Sequence, residues 1–292
     1  MNKNTRKISI FMVISFAFLA LYALSLLAPL LWSIMTSFKG SEFDNNSFGW
    51  PTEGFVNNYK DIFTTFKAVI PNPNGGSSLH VNVIGMIFNS LWYAIGSAII
   101  STTVAYMVAY VVARFNFKFC NVIYTIIVLQ MIIPMVGTFP SEFRIANELH
   151  LYDTPHGILF MKSYVTGLYF LAFYAALRVI PRDYEEAAQL DGCGNWGIML
   201  RIIIPMTTGV ISTVFLLVFI AFWNDYQTPI LYMPSYATLS YGLYQYVNTE
   251  LIESVSVPEE LAASMLLAIP LFVLFIIFQK KLLGRVSLGG LK

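Results

Sequence analysis

The sequence predicts an all-α membrane protein with six transmembrane helices and both termini in the cytoplasm. Three observations lead there. Of 292 residues, 57% are hydrophobic and 11% charged, where a soluble domain carries about 25% charged residues. The mean hydropathy is +0.66. Charge-poor runs near the ~20 residues that cross a bilayer recur along the chain. The same figures argue against a soluble enzyme. The 17 Lys and Arg against 16 Asp and Glu leave no basic field for nucleic acid. Cys120 and Cys193 cannot build a disulfide framework, and His80, His150 and His156 lack zinc-ligand spacing, so no metal is expected.

The first run, residues 8–38, follows Lys3, Arg6 and Lys7. It far exceeds the ~7–15 residues of a signal-peptide core, which makes it an uncleaved anchor. A loop over 39–80 comes next, with turn composition at Pro71-Asn72-Pro73-Asn74-Gly75-Gly76. Its aromatics Phe43, Phe48, Trp50, Phe55, Tyr59, Phe63 and Phe66 either dock a partner or rest at the membrane interface. The loop over 229–260 poses the same choice. Residues 1–80 therefore read as anchor helix plus first external loop, and 81–292 as a core domain with five further spans.

Those five runs cover 84–113, 121–139, 157–177, 206–223 and 261–279, each helical because lipid offers the backbone no other partner. Their alternation assigns Lys3, Arg6, Lys7, Arg114, Lys118, Arg178, Arg182, Arg201, Lys280, Lys281, Arg285 and Lys292 to one side. The other side holds Lys39, Lys60, Lys67 and Arg144. The richer side is cytoplasmic by the positive-inside bias.

Between the fourth and fifth runs, residues 180–205 are too charged to cross. Pro181 suits a first helical turn, and Asp183, Glu185 and Glu186 suit the positive end of its dipole. Ala187, Ala188, Gln189 and Leu190 carry the helix to Gly192, which can end it in the left-handed conformation. Asn195 can cap a second helix leading through Ile202, Ile204 and Pro205 into the fifth run. Ala187 and Ala188 give a low profile for another protein, flanked by Glu186 and Asp191. An ordinary connection packed on its own helix ends is the alternative.

Glu186-Ala187-Ala188, Gly192 four residues on, and Ile202-x-Ile204-Pro205 resemble the EAA loop of the permease subunits of bacterial ABC importers, with Ile204 where leucine is commoner. Ser37-Phe38-Lys39, Asn57-Asn58-Tyr59, Phe88-Asn89-Ser90-Leu91, Ala113-Arg114-Phe115, Phe222-Trp223-Asn224-Asp225 and Gly289-Gly290 extend the resemblance to carbohydrate permeases of the maltose-transporter type. The resemblance implies the type I ABC importer permease fold in a bacterial cell membrane. It implies a second permease subunit, expected to be a different chain, an ABC ATPase dimer and an extracellular or periplasmic sugar-binding protein. Glu186, Ala187, Ala188, Asp191, Gly192, Ile202, Ile204 and Pro205 would couple to the ATPase. The chain has no G-x-x-x-x-G-K-[ST] loop, so ATP belongs to that partner and no cofactor to this chain.

Gly192-Cys193-Gly194-Asn195-Trp196-Gly197 matches G-x-G-x-x-G, but it follows a helix rather than a strand and reads as turn glycines. Gln130, Trp223, Asn224, Asp225 and Tyr226 are candidates for a substrate pathway, the carboxylate and amides for sugar hydroxyls and the rings for stacking. Lys162 is expected to snorkel to the outer headgroups. Pro29, Pro134, Pro205 and Pro270 can kink spans without a special role. No catalytic residues are evident. The rival function is a stand-alone secondary transporter of a small polar solute, which would show paired repeats and buried ionisable groups.

Overall fold

Helix α1, Ile10–Ser37, is apolar on every side, and in its candidate spanning window no residue is buried. An all-round apolar surface of this kind needs a medium other than water. The computed structural model describes residues 10–40, 47–51, 56–72, 75–133, 137–248 and 255–283, the last four by backbone alone. Lys3, Arg6, Lys7, Phe43, Phe55, Pro73, Asn74, Pro134, Arg285, Gly289, Gly290 and Lys292, on which parts of the sequence reading rest, lie outside the described residues.

The chain divides into two compact units, Met1–Phe66 with Tyr246–Ile269, and Lys67–Gln245 with Pro270–Lys292. In the first, α2 (Asn57–Thr65) returns to the end of α1. Asn58 Nδ2 donates to the carbonyls of Ser37 (2.9 Å) and Lys39 (2.7 Å), and Ser37 Oγ and Tyr59 OH lie 2.8 Å apart. Carbonyls that helix termination leaves orphaned are thereby satisfied. Tyr59 packs on Phe38 and stays half-buried, while Phe66 packs on Tyr246 and is fully buried, so Phe66 serves neither a partner nor the interface. Phe48, Trp50 and Phe63 stay exposed.

The second unit opens with a departure from the all-α expectation, a hairpin of β1 (Lys67–Ile70) and β2 (Leu79–Asn82). Gly75 and Gly76, at φ 75° and 101°, lie in its connection. The Gln245 side-chain amide completes the edge, accepting from Val69 N–H (2.9 Å) and donating to its carbonyl (3.0 Å).

α3 (Val83–Arg114) is the organising helix. Ile84, Phe88, Leu91, Ile95 and Ile99 line its exposed side, while Ser90, Ala94, Ser97, Ala98, Ser101, Ala105 and Ala109 are buried. Small residues let helix backbones approach where lipid removes the hydrophobic drive. Its main neighbours are α7 (Gly167–Val179) and α10 (Ile204–Trp223). Tyr106 meets Phe173 edge-on and its hydroxyl lies 2.9 Å from Thr207 Oγ1.

Four described helices are long and apolar enough to span: α1, α3, the continuous run Asn195–Trp223, and Val257–Gln279 of α13 (Val257–Leu283). α4 (Lys118–Ile132) and α7 are shorter. The predicted run 157–177 is two helices, α6 (Pro155–Met161) and α7, with a break at 162–166. α5 (Phe139–Glu148), α11 (Gln227–Tyr232) and α12 (Leu239–Asn248) occupy segments expected to be connections.

Candidate functional site

The segment 180–205 folds as α8 (Asp183–Leu190), a turn, α9 (Asn195–Ile198), one π-helical turn (Met199–Ile203) and then α10. Pro181 stands before the helix rather than in its first turn, which holds Asp183, Glu185 and Glu186. At the C-terminus Gly192 takes φ 80°, Cys193 N–H donates to Ala188 O (2.9 Å) and Gly192 N–H to Gln189 O (3.0 Å). These two bonds are the Schellman pattern, which closes a helix on a left-handed residue. Asn195 does not act as a cap. Gly194 holds that position in extended backbone, with no side-chain bond. The π turn falls just before Pro205, whose ring removes one donor from the ladder.

Only one of the two alanines faces outward. Ala188 is buried, whereas Tyr184, Ala187 and Leu190, spaced by three, are exposed, Leu190 to 90%. The sequence reading missed Tyr184 and Leu190, although three-residue spacing from Ala187 puts them on its face. Glu186 and Asp191 are exposed beside this ridge. Ile202 and Ile204 lie in the π turn and at the start of α10.

Glu185 turns back toward the bundle. Its Oε1 lies 3.0 Å from Nε of Arg114, with side-chain exposures of 15% and 4%. Arg114 Nη1 also donates to the Ile180 carbonyl at 2.9 Å.

The pathway candidates separate. Gln130 is exposed and lines a cleft of about 730 Å³ with Glu142, Lys162, Tyr164, Thr228 and Tyr232. Trp223 is 1% exposed and stacked on Phe219, so it presents no free ring face. Asn224 is exposed and donates to Ile220 O (2.9 Å) at the end of α10. Tyr226 is exposed but stacked on Tyr244 at 4.6 Å and 10°.

Asp225 is a structural hub. Its carboxylate accepts from Tyr93 OH (2.8 Å) and Thr228 N–H (3.0 Å), and its carbonyl from Ser240 Oγ (2.9 Å). Lys162 does not snorkel. Its ammonium donates to Thr228 Oγ1 (3.0 Å), lies 3.8 Å from Asp225 Oδ2 and sits over the Phe222 ring at 5.3 Å. Thr228 and Asp225 hold it inside the fold, where pairing offsets the cost of leaving water.

Residues 101–287, more than half the chain, match the family described as "binding-protein-dependent transport system inner membrane component". The diacetylchitobiose uptake system permease protein NgcG of Streptomyces coelicolor is 25% identical over 283 residues, 96% of this chain and 88% of that protein. The galactooligosaccharides transport system permease protein GanQ of Bacillus subtilis is 27% identical, covering 96% and 95%. A chain in the crystal structure of a bacterial ABC transporter involved in the import of the acidic polysaccharide alginate has the same fold, with a TM-score of 0.77 at 18% identity, covering 96% of this chain and 99% of that one. The chain is therefore a transporter permease, a member of the family of binding-protein-dependent transport system inner membrane components.

Proposed function

We propose that this chain forms half of the translocation pathway of an ATP-driven importer for a carbohydrate, an oligosaccharide or a glycoside. The observation that carries the reading is α8: a short charged helix, ended by Gly192 in the left-handed conformation and continued by Asn195–Trp223, a helix of spanning length. α8 is the part that a cytoplasmic ATPase engages, through Glu186, Ala187, Ala188, Asp191 and Gly192, with Ile202, Ile204 and Pro205 carrying displacement into α10. Curated relatives named for diacetylchitobiose and galactooligosaccharide uptake support the substrate class.

In this reading six spans cross a bacterial cell membrane with both termini in the cytoplasm, α4 and α7 being the two shorter ones. Residues 1–80 form the anchor and first external loop, and 81–292 the core. A second permease chain completes the pathway, an ATPase dimer binds and hydrolyses ATP, and an external sugar-binding protein delivers substrate. A relative in fold comes from a bacterial alginate ABC transporter in complex with an alginate pentasaccharide-bound periplasmic protein, with a TM-score of 0.62 at 15% identity. Gln130, Asn224 and Tyr226 remain the candidates to meet solute. Trp223 and Asp225 are committed to the fold.

The test is affinity capture of the tagged chain from its native membranes in mild detergent, with mass spectrometry of what accompanies it. Co-recovery of an ATPase, a second permease and a solute-binding protein supports the importer. Recovery alone, together with proton- or sodium-driven flux by the purified chain in vesicles, overturns it in favour of a stand-alone secondary transporter.

A further inference from the structure

Arg114 is the last residue of α3, where the negative end of the helix dipole favours a cation. At 4% side-chain exposure it is not left to water, and it holds two points that flank Pro181. One is the Ile180 carbonyl just beyond α7; the other is the Glu185 carboxylate in the first turn of α8. Arg182 Nη2 adds a longer bond to Asn116 Oδ1, 3.4 Å, between the same two stretches of chain.

This joint has spare capacity. Arg114 Nη2 is buried without a hydrogen-bond partner among the described residues, and the Nε to Oε1 contact is an ion pair without hydrogen-bond alignment. A guanidinium carries five donors in a fixed fork, so it can exchange acceptors while keeping its charge. A cavity of about 210 Å³ opens beside it, lined also by Tyr110, Gln189 and a second carboxylate, Glu186. The other route out of α8, through α9 to α10, passes the π turn Met199–Ile203, where the helical register is locally changed.

We propose that Arg114 is a positioning residue for transport: through Glu185 it passes displacement of α8 to the end of α3, the helix on which α7 and α10 both pack. The proposal rests on the reading of α8 as the ATPase-engaging helix. It adds a side-chain connection between residues 71 positions apart to the covalent route through Ile202, Ile204 and Pro205 into α10.

The test uses the assembled transporter, with its ATPase and solute-binding protein, in proteoliposomes. Arg114→Met, Glu185→Gln and the exchanged pair Arg114→Glu with Glu185→Arg are compared for solute taken up per ATP hydrolysed and for the amount of ATPase that co-purifies. Both single variants are expected to lower uptake per ATP by about tenfold, within the usual range of a coupling free energy, while ATPase remains bound at the wild-type level. The exchanged pair should recover part of the loss, since it restores the opposite charges but sets each against its helix dipole and leaves the Ile180 carbonyl without this donor. Unchanged uptake per ATP in the single variants overturns the proposal. So does an equal loss of assembled complex in all three, which would give the pair a folding role only. A wild-type complex without ATP-driven uptake overturns the reading of α8 and this proposal with it.

Discussion

The hydroxyl of Tyr93 donates to Oδ2 of Asp225 at 2.8 Å, joining α3 to the residue just past the end of α10. The same carboxylate receives Thr228 N–H and faces the Lys162 ammonium. Asp225→Ala removes all three interactions and leaves the Lys162 ammonium, on a side chain 15% exposed, with its charge unbalanced. Such a loss costs up to about 3 kcal/mol for a pair this far out of water. The melting midpoint of the detergent-solubilised chain should fall clearly, less for Asp225→Asn, which retains an acceptor. Adding Lys162→Met to Asp225→Ala should restore part of the loss. A wild-type midpoint for Asp225→Ala would refute the hub.

Leu190 separates assembly from folding. At 90% exposure it contributes little to the stability of this chain, yet it stands on the outward ridge with Tyr184 and Ala187. Surface changes away from packed features usually alter stability by less than about 0.5 kcal/mol. Leu190→Asp should therefore leave the melting midpoint of the isolated chain in place and reduce the ATPase that co-purifies with it. Undiminished co-purification would remove the ridge from the proposed docking surface.

Much of this arrangement was legible because the relevant signals are local. Hydropathy finds α1, α3, α10 and α13, since spanning length and apolar composition are properties of one segment. Proline, early carboxylates and a late glycine find α8. The family-like fragments were legible as letters but not as contacts. Ser37 meets Tyr59, Asn89 Nδ2 donates to Ala237 O, and Ser90 Oγ accepts from Leu239 N–H, each tie crossing a distance in sequence that periodicity cannot see. The pairing of Arg114 with Glu185 escaped for the same reason. The break at 162–166 was hidden because a hydropathy window averages across it. One start left a local signal that the run 157–177 did not take up: Thr154 Oγ1 accepts from Gly157 N–H with Pro155 in the first turn, the usual signature of a helix N-terminus.

Tyr232 gives an alkaline signature. Its hydroxyl donates to Glu142 Oε2 at 3.1 Å, and burial, then the Glu142 charge, push its pKa from 10.0 up to about 12. The fold thus favours the neutral phenol. This stabilisation is complete below pH 10 and is lost as pH rises toward 12, because the unfolded chain ionises first. Between those values the melting midpoint should decline more steeply in the wild type than in Tyr232→Phe, where the other tyrosines still titrate. Parallel declines would show that Tyr232 ionises equally in both states.

Gly192 and Gly157 make a contrast that distinguishes conformation from packing. Gly192 sits at φ 80° with nothing within 4 Å of where a Cβ would stand, so substitution there meets backbone strain alone. That strain is about 1–2 kcal/mol for an ordinary residue, least for Asn, which tolerates the left-handed region, and greatest for a β-branched one. At Gly157 an added Cβ would run into the Leu151 carbonyl and the Thr154 hydroxyl that caps α6. Gly157→Ala should therefore destabilise the whole chain, lowering its melting midpoint and its yield in membranes. Gly192→Val should leave insertion intact and instead reorient α8, because the Schellman bonds from Gly192 and Cys193 can no longer form together. In the assembled transporter, uptake per ATP should then fall in the order Asn, Ala, Val while the co-purified ATPase stays near the wild-type level. Equal uptake across the Gly192 series would mean that the turn does not set the direction in which α8 acts.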